Sequence, residues 1–118
     1  MFLDFEFVKE LKTWTDARKY CQAIGRDLVR FESKEEQNKV AAMAITKTVG
    51  GWWIGLREKK DEKWIWVNGR EVSWTTWKYP TQPNGVLECV YLYGDDATWL
   101  TRSCSVVYPF ICRIIKDD

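Results

Sequence analysis

Histidine is absent from this chain of 118 residues. No Ser/His/Asp or Cys/His nucleophilic set can therefore form, and the residue most used as a general base is missing. There is no Cys-x-x-Cys pair, so zinc ribbons and thioredoxin-type redox chemistry lack their usual ligands. A dominant charge is missing as well. Lys and Arg total 18 and Asp and Glu total 17, a formal charge of +1 with both signs mixed along the chain. That balance offers no general attraction for nucleic acid or an anionic membrane. No apolar run approaches the length that spans a bilayer. None of Asn38, Asn68 and Asn84 begins an Asn-x-Ser/Thr acceptor. The opening residues, Met1-Phe2-Leu3-Asp4-Phe5-Glu6, lack the basic and apolar regions of a signal peptide. A secreted protein would then carry this chain as its mature domain.

What is present begins with four cysteines, Cys21, Cys89, Cys104 and Cys112. An even number in a short chain reads as a disulfide framework, which places the protein outside the cytosol. Four cysteines allow three pairings. The favoured one has Cys89–Cys104 as a local clasp and Cys21–Cys112 tying the two ends together. The length fits one domain, residues 1–118, around a single core.

Residues 2–8 mix apolar and acidic side chains in the manner of a short strand. Thr13 caps a helix, with Asp16 three residues later, and Trp14, Ala17, Cys21 and Ile24 make its apolar face. Gly25 stops it. Leu28, Val29 and Phe31 form an extended piece. Ser33-Lys34-Glu35-Glu36 opens a second helix, which should end between Thr46 and Gly50. Trp52–Gly55 reads as a buried strand, and Arg57–Lys63, seven charged residues of both signs, as a solvated turn. Trp64–Val67 is a strand closed by the Asn68-Gly69 turn. Trp74–Gly85 is a long loop. Strands at Leu87–Tyr93, Thr98–Leu100 and Phe110–Ile115 complete an α+β domain with helices beside an antiparallel sheet. Of the eight tryptophans, Trp14, Trp53, Trp64, Trp66 and Trp99 are expected in the core, Trp74 as a structural residue that opens the loop, and Trp77 packed beneath it. Tyr79 is the candidate exposed aromatic, a ring on which the C–H face of a sugar can lie.

In this order the residues resemble a C-type lectin-like domain over nearly the whole chain. Trp14-Thr15-Asp16-Ala17 with Tyr20-Cys21 resembles the first helix of that fold, and Leu28-Val29 with Glu35-Glu36-Gln37-Asn38 the entry to the second. Trp53-Ile54-Gly55-Leu56 is similar to the family's Trp-Ile-Gly core strand. Trp64, Trp66 and Asn68-Gly69 resemble the next hairpin. Trp77, Gln82-Pro83-Asn84, Cys89, Trp99, Cys104 and Cys112 resemble the long loop and last strands. The resemblance implies two helices flanking antiparallel sheets with a long irregular loop, and the family's disulfide pairing agrees with the one favoured above.

Family lectins hold sugar through calcium, which takes six to eight oxygen ligands. The resemblance implies a thinned shell here. Gln82-Pro83-Asn84 offers two amide oxygens and mixes the mannose-type Glu-Pro-Asn with the galactose-type Gln-Pro-Asp. Leu87 stands where the family's third ligand usually lies, with Glu88 beside it. Trp99-Leu100-Thr101 replaces Trp-Asn-Asp. At most one carboxylate then faces an ion, so no cofactor is expected beyond weak calcium binding. The Asp95-Asp96 pair reads as a turn in preference to a relocated cation site. A Gln–Asn pair beside Glu88 can bind sugar hydroxyls directly, because amides both donate and accept.

The resulting expectation is an extracellular recognition module and not an enzyme. It binds glycans, such as those of microbial surfaces in innate immunity, through Gln82, Asn84 and Glu88 with Tyr79 as a platform, and with little need of calcium. Two competitors follow from the same resemblance. One is a protein-binding member of the fold that has lost sugar binding, favoured by Leu100 and Thr101. The other is the ice-binding role that this fold also hosts.

Overall fold

A computed structural model describes residues 5–59, 63–79 and 88–114. The described elements are strand β1 (Phe5–Lys12), helix α1 (Trp14–Ala23), β2 (Arg26–Leu28), α2 (Lys34–Ala44), β3 (Gly51–Glu58), β4 (Trp64–Trp66), β5 (Cys89–Tyr93), β6 (Thr98–Arg102) and β7 (Tyr108–Ile114).

Local chemistry sets both helix starts. The Thr13 hydroxyl accepts from the Asp16 N–H at 3.2 Å, satisfying one donor that the first turn leaves orphaned. The Ser33 hydroxyl does the same for Glu36 at 3.1 Å. The Glu36 carboxylate reaches back to the Glu32 N–H at 2.9 Å. Helix α1 stops where Gly25 takes φ +77°, a conformation that costs glycine little. Trp14, Ala17 and Cys21 form its buried face, as the helical spacing predicts, but Ile24, expected on that face, is the C-cap and is 44% exposed.

The strands run in the order β1-β7-β3-β5-β6, with β2 also on β7 and β4 also on β3. Pairing is antiparallel except between β3 and β7, which run parallel at Trp53↔Phe110. Strand β3 therefore lies at the centre, and its alternation decides the core. Trp52, Ile54 and Leu56 enter one apolar cluster with Val90, Leu92, Trp99 and the α2 residues Val40, Ala41 and Ala44. Trp53 enters the other, with Trp14, Leu28, Phe110 and the Cys21 and Cys112 half-cystines. Gly55 sits where chains cross. Its N–H donates to the Val29 carbonyl at 2.6 Å, and a Cβ there would lie 2.8 Å from the Leu28 carbonyl oxygen.

The disulfides join Cys21 to Cys112 and Cys89 to Cys104. The first ties α1 to β7. The second ties the start of β5 to the turn after β6.

Several boundaries differ from the sequence reading. Helix α2 ends at Ala44, short of Thr46, with Ile45 as its C-cap. Strand β2 covers Arg26–Leu28, ahead of the expected extended piece at Leu28, Val29 and Phe31. Strand β1 continues to Lys12, because β7 offers it a partner as far as Tyr108. Strand β6 continues to Arg102, opposite Cys89. The charged run beginning at Arg57 is not all solvated turn. Arg57 and Glu58 complete β3 opposite Ile65 and Trp64, and Glu58 is only 2% exposed. Strand pairing carries it inward, whereas Arg57 reaches out to place its guanidinium 5.3 Å from the Trp14 ring centroid. Lys60, Asp61 and Glu62 lie outside the described residues.

One titration follows from the margin of the Trp53 cluster, where Tyr91 and Tyr108 are half-buried. Tyr91 stacks on Tyr108 with ring centroids 4.7 Å apart. Burial, aided by the neighbouring Tyr108, pushes the Tyr91 phenol up to about 12. The folded state thus favours the neutral phenol. Its contribution to stability is complete below the ordinary value of 10.0 and is lost as pH rises from there to about 12. The melting temperature is expected to fall across that window, and to fall less steeply in Tyr91→Phe. Equal slopes would contradict the assignment.

Candidate functional site

The long-loop side of the molecule is built on Trp99. This residue lies on β6 and is 1% exposed. Trp66, Trp74 and Trp77 surround it, with ring centroids 5.6, 5.1 and 5.2 Å away. Trp64 stands against Trp77 at 4.9 Å. Edge-on and tilted contacts of this kind suit the aromatic quadrupole. Trp64, Trp74 and Trp77 are half-buried, so the cluster is a continuous wall with its outer members at the surface.

A buried amide fixes this wall to α2. Gln37 is wholly buried. Its Oε1 accepts from the Trp99 indole N–H. Its Nε2 donates to the Thr76 hydroxyl at 3.0 Å and to the Ala97 carbonyl at 3.2 Å. One side chain thereby joins helix, loop stem and the β5–β6 turn. The backbone adds two bonds. The Trp99 N–H donates to the Thr76 carbonyl at 2.9 Å, and the Lys78 N–H to the Trp99 carbonyl at 3.0 Å. The loop stem thus runs alongside β6 and covers part of its outer edge.

Beyond the stem, Tyr79 is 61% exposed. It lines a cleft of about 670 Å³ together with Lys34, Asn38, Thr76, Trp77 and Asp96. Asp95 and Asp96 lie in the turn between β5 and β6, as the Gly-Asp-Asp reading expects. Asp96 pairs with the Lys78 ammonium at 2.6 Å and accepts from the Thr98 hydroxyl. Burial opposes ionisation of Asp96, but the Lys78 and Thr98 hydrogen bonds outweigh it and hold the carboxyl below the usual carboxylate value. The hydrogen bond to Asp96 in turn raises the Lys78 ammonium. Both groups are therefore charged at neutral pH.

Of the four residues that the sequence reading assigns to ligand binding, Gln82 and Asn84 lie outside the described residues. Tyr79 is at the cleft rim. Glu88 is half-buried just ahead of Cys89, and its carbonyl accepts from the Glu58 N–H at 2.9 Å. It does not line the cleft that takes in Tyr79. Lys34, Asn38 and Thr76 were not among the residues singled out. Lys34 and Asn38 stand four apart on one face of α2, but only the packing of α2 against the loop stem gives that face a cavity.

The donor chemistry of β6 does not fit calcium. Leu100, opposite Tyr91, presents hydrocarbon, and Thr101, opposite Val90, a neutral hydroxyl. Among the described residues no group of three or more Asp, Glu, Cys or His side chains stands close enough to hold a metal ion. Calcium takes six to eight oxygen ligands, commonly carboxylates and amide carbonyls, and the side chains of Leu100 and Thr101 supply neither.

The comparisons with known proteins agree with this architecture. A family model described as the lectin C-type domain matches residues 10–114. One chain of the snaclec coagulation factor IX/factor X-binding protein of Echis carinatus is 32% identical over 113 residues, covering 92% of this chain and 86% of that protein. Among solved structures, human lithostathine superposes with a TM-score of 0.83 at 27% identity, covering 98% of this chain and 87% of the other. The mouse scavenger receptor C-type lectin carbohydrate-recognition domain superposes with a TM-score of 0.82 at 26% identity, covering 99% and 95%.

Proposed function

Because the chain belongs to the family of C-type lectin domains, we propose that it is a secreted, non-enzymatic recognition module that binds carbohydrate without depending on calcium. The observation that carries this reading is the uneven loss of the family's ligands. The amides of Gln82-Pro83-Asn84 are kept, whereas Leu100 and Thr101 stand where acidic and amide oxygens would serve an ion. Amides bind sugar hydroxyls directly, as donors and as acceptors. Gln82, Asn84 and Glu88 are the proposed hydrogen-bonding set, and Tyr79 the stacking platform. Two disulfides support an oxidising compartment. No helix among the described residues is long and apolar enough to cross a membrane.

A second reading, recognition of a protein, is favoured by the Echis carinatus relative, a coagulation factor IX/factor X-binding protein. A glycan array separates the two. The first reading expects oligosaccharide binding that Gln82→Ala plus Asn84→Ala weakens at least tenfold, equivalent to about 1.4 kcal/mol. An array without a single bound glycan would contradict it and leave protein recognition as the better account.

A further inference from the structure

We infer that the cleft between α2, the loop stem and the β5–β6 turn is a second, metal-free carbohydrate subsite, lined by side chains that the family's calcium chemistry does not use. The inference rests on the carbohydrate reading above and adds a place on the molecule to it. Tyr79 links the two sites, standing three residues before Gln82 in the sequence.

The cleft is roomy enough for a small ligand. Its volume of about 670 Å³ lies within the range of about 300–1,000 Å³ usual for small-ligand sites. Its floor is built rather than incidental. Wholly buried Gln37 fixes Thr76 and the Ala97 carbonyl on the same amide, and the Trp99 indole holds that amide from below. A floor pinned at both edges loses little freedom when a ligand binds, which favours affinity.

The lining selects the chemistry of the ligand. Asn38 presents an exposed amide that both donates and accepts. Thr76 accepts from Gln37, which leaves its hydroxyl proton to donate. The Asp96 carboxylate accepts and the Lys34 ammonium donates. Asp96 is already paired with the Lys78 ammonium and with the Thr98 hydroxyl, so the cleft carries no bare carboxylate for a cation, and Asn38 and Thr76 give it neutral donors and acceptors. The aromatic members, half-buried Trp77 and exposed Tyr79, require an apolar face on the same ligand. A pyranose ring combines neutral hydroxyls around its edge with a C–H face. The subsite therefore takes one sugar unit of an oligosaccharide, held by direct hydrogen bonds and by stacking on Tyr79.

The test uses the full chain and the oligosaccharides of a mixed mammalian and microbial glycan array, in EDTA. The strongest array binder is then titrated in solution. Lys34→Ala plus Asn38→Ala removes two exposed side chains that belong to this cleft alone and should leave the melting temperature unchanged. It is expected to weaken the oligosaccharide at least tenfold. The wild-type protein supplies a readout that needs no variant: the Asn38 side-chain amide and Thr76 backbone signals in NMR spectra should shift during the titration. Undiminished binding by the Lys34/Asn38 variant, with binding lost in the Gln82/Asn84 variant, would overturn the subsite and leave the carbohydrate reading intact. Unmoved Asn38 and Thr76 signals at saturation would overturn it too. Absence of any glycan binding by the wild-type protein would overturn both.

Discussion

Removing the Cys21–Cys112 bond, by Cys21→Ala with Cys112→Ala, is expected to destabilise the protein by about 4.6 kcal/mol. The figure comes from the chain entropy released to the unfolded state when a loop of 91 residues is no longer closed. The Cys89–Cys104 loop spans 15 residues, and its removal should cost about 3 kcal/mol on the same basis. The larger loss is a substantial part of the roughly 5–15 kcal/mol by which a domain is usually stable. It should lower the melting temperature by roughly 15–20 °C. The packing gives the bond further reach. Both half-cystines are wholly buried in the cluster around Trp53 and Phe110, so α1 loses its covalent hold on β7 and leaves a small void. Urea unfolding of the two double variants checks the order. A Cys89/Cys104 variant less stable than the Cys21/Cys112 variant would contradict it.

The second large effect is expected from Gln37→Leu. Leucine is close in size to glutamine and suits a helix interior, so propensity and volume change little. What disappears is a set of three hydrogen bonds, to the Trp99 indole, the Thr76 hydroxyl and the Ala97 carbonyl. Trp99 is almost fully buried, and its N–H would be left without a partner. An orphaned buried polar group costs about 1–3 kcal/mol. With the Ala97 carbonyl also released, the total should be about 2–4 kcal/mol. The damage should be local as well as global, because the same amide fixes the loop stem against the β5–β6 turn. Amide exchange should accelerate at Lys78 and Trp99, whose N–H groups hold the stem to β6, more than in β7. A change below about 0.5 kcal/mol, the scale of an ordinary surface substitution, would show that the amide is dispensable.

These two sites also show what the sequence could and could not disclose. Short-range chemistry was legible. Thr13 and Ser33 announce helix starts through bonds three residues long, and Gly25 announces a stop through its own φ. The half-cystines were legible as a framework from their even number in a short chain, and the resemblance agreed with the favoured pairing. Glu58 was not legible. It stands in a run of charges that composition reads as solvated, and only pairing across β3 and β4 turns it inward. Gln37 was quoted merely as part of a helix entry. Its role depends on partners 39, 60 and 62 residues away, which no local pattern encodes. The cleft was hidden for the same reason. Tyr79 could be named from its place in the loop, but Asn38 and Thr76 meet only after the helix and the loop stem have packed.

Metal dependence is the most direct test of the central claim, that recognition here rests on amides, hydroxyls and aromatic faces in place of a calcium ion. The measurement is the affinity of one array-identified oligosaccharide by titration calorimetry, first in millimolar calcium and then in EDTA. The same dissociation constant in both is predicted, with no rise in melting temperature on adding calcium alone. Binding that vanishes in EDTA and returns with calcium would contradict the account.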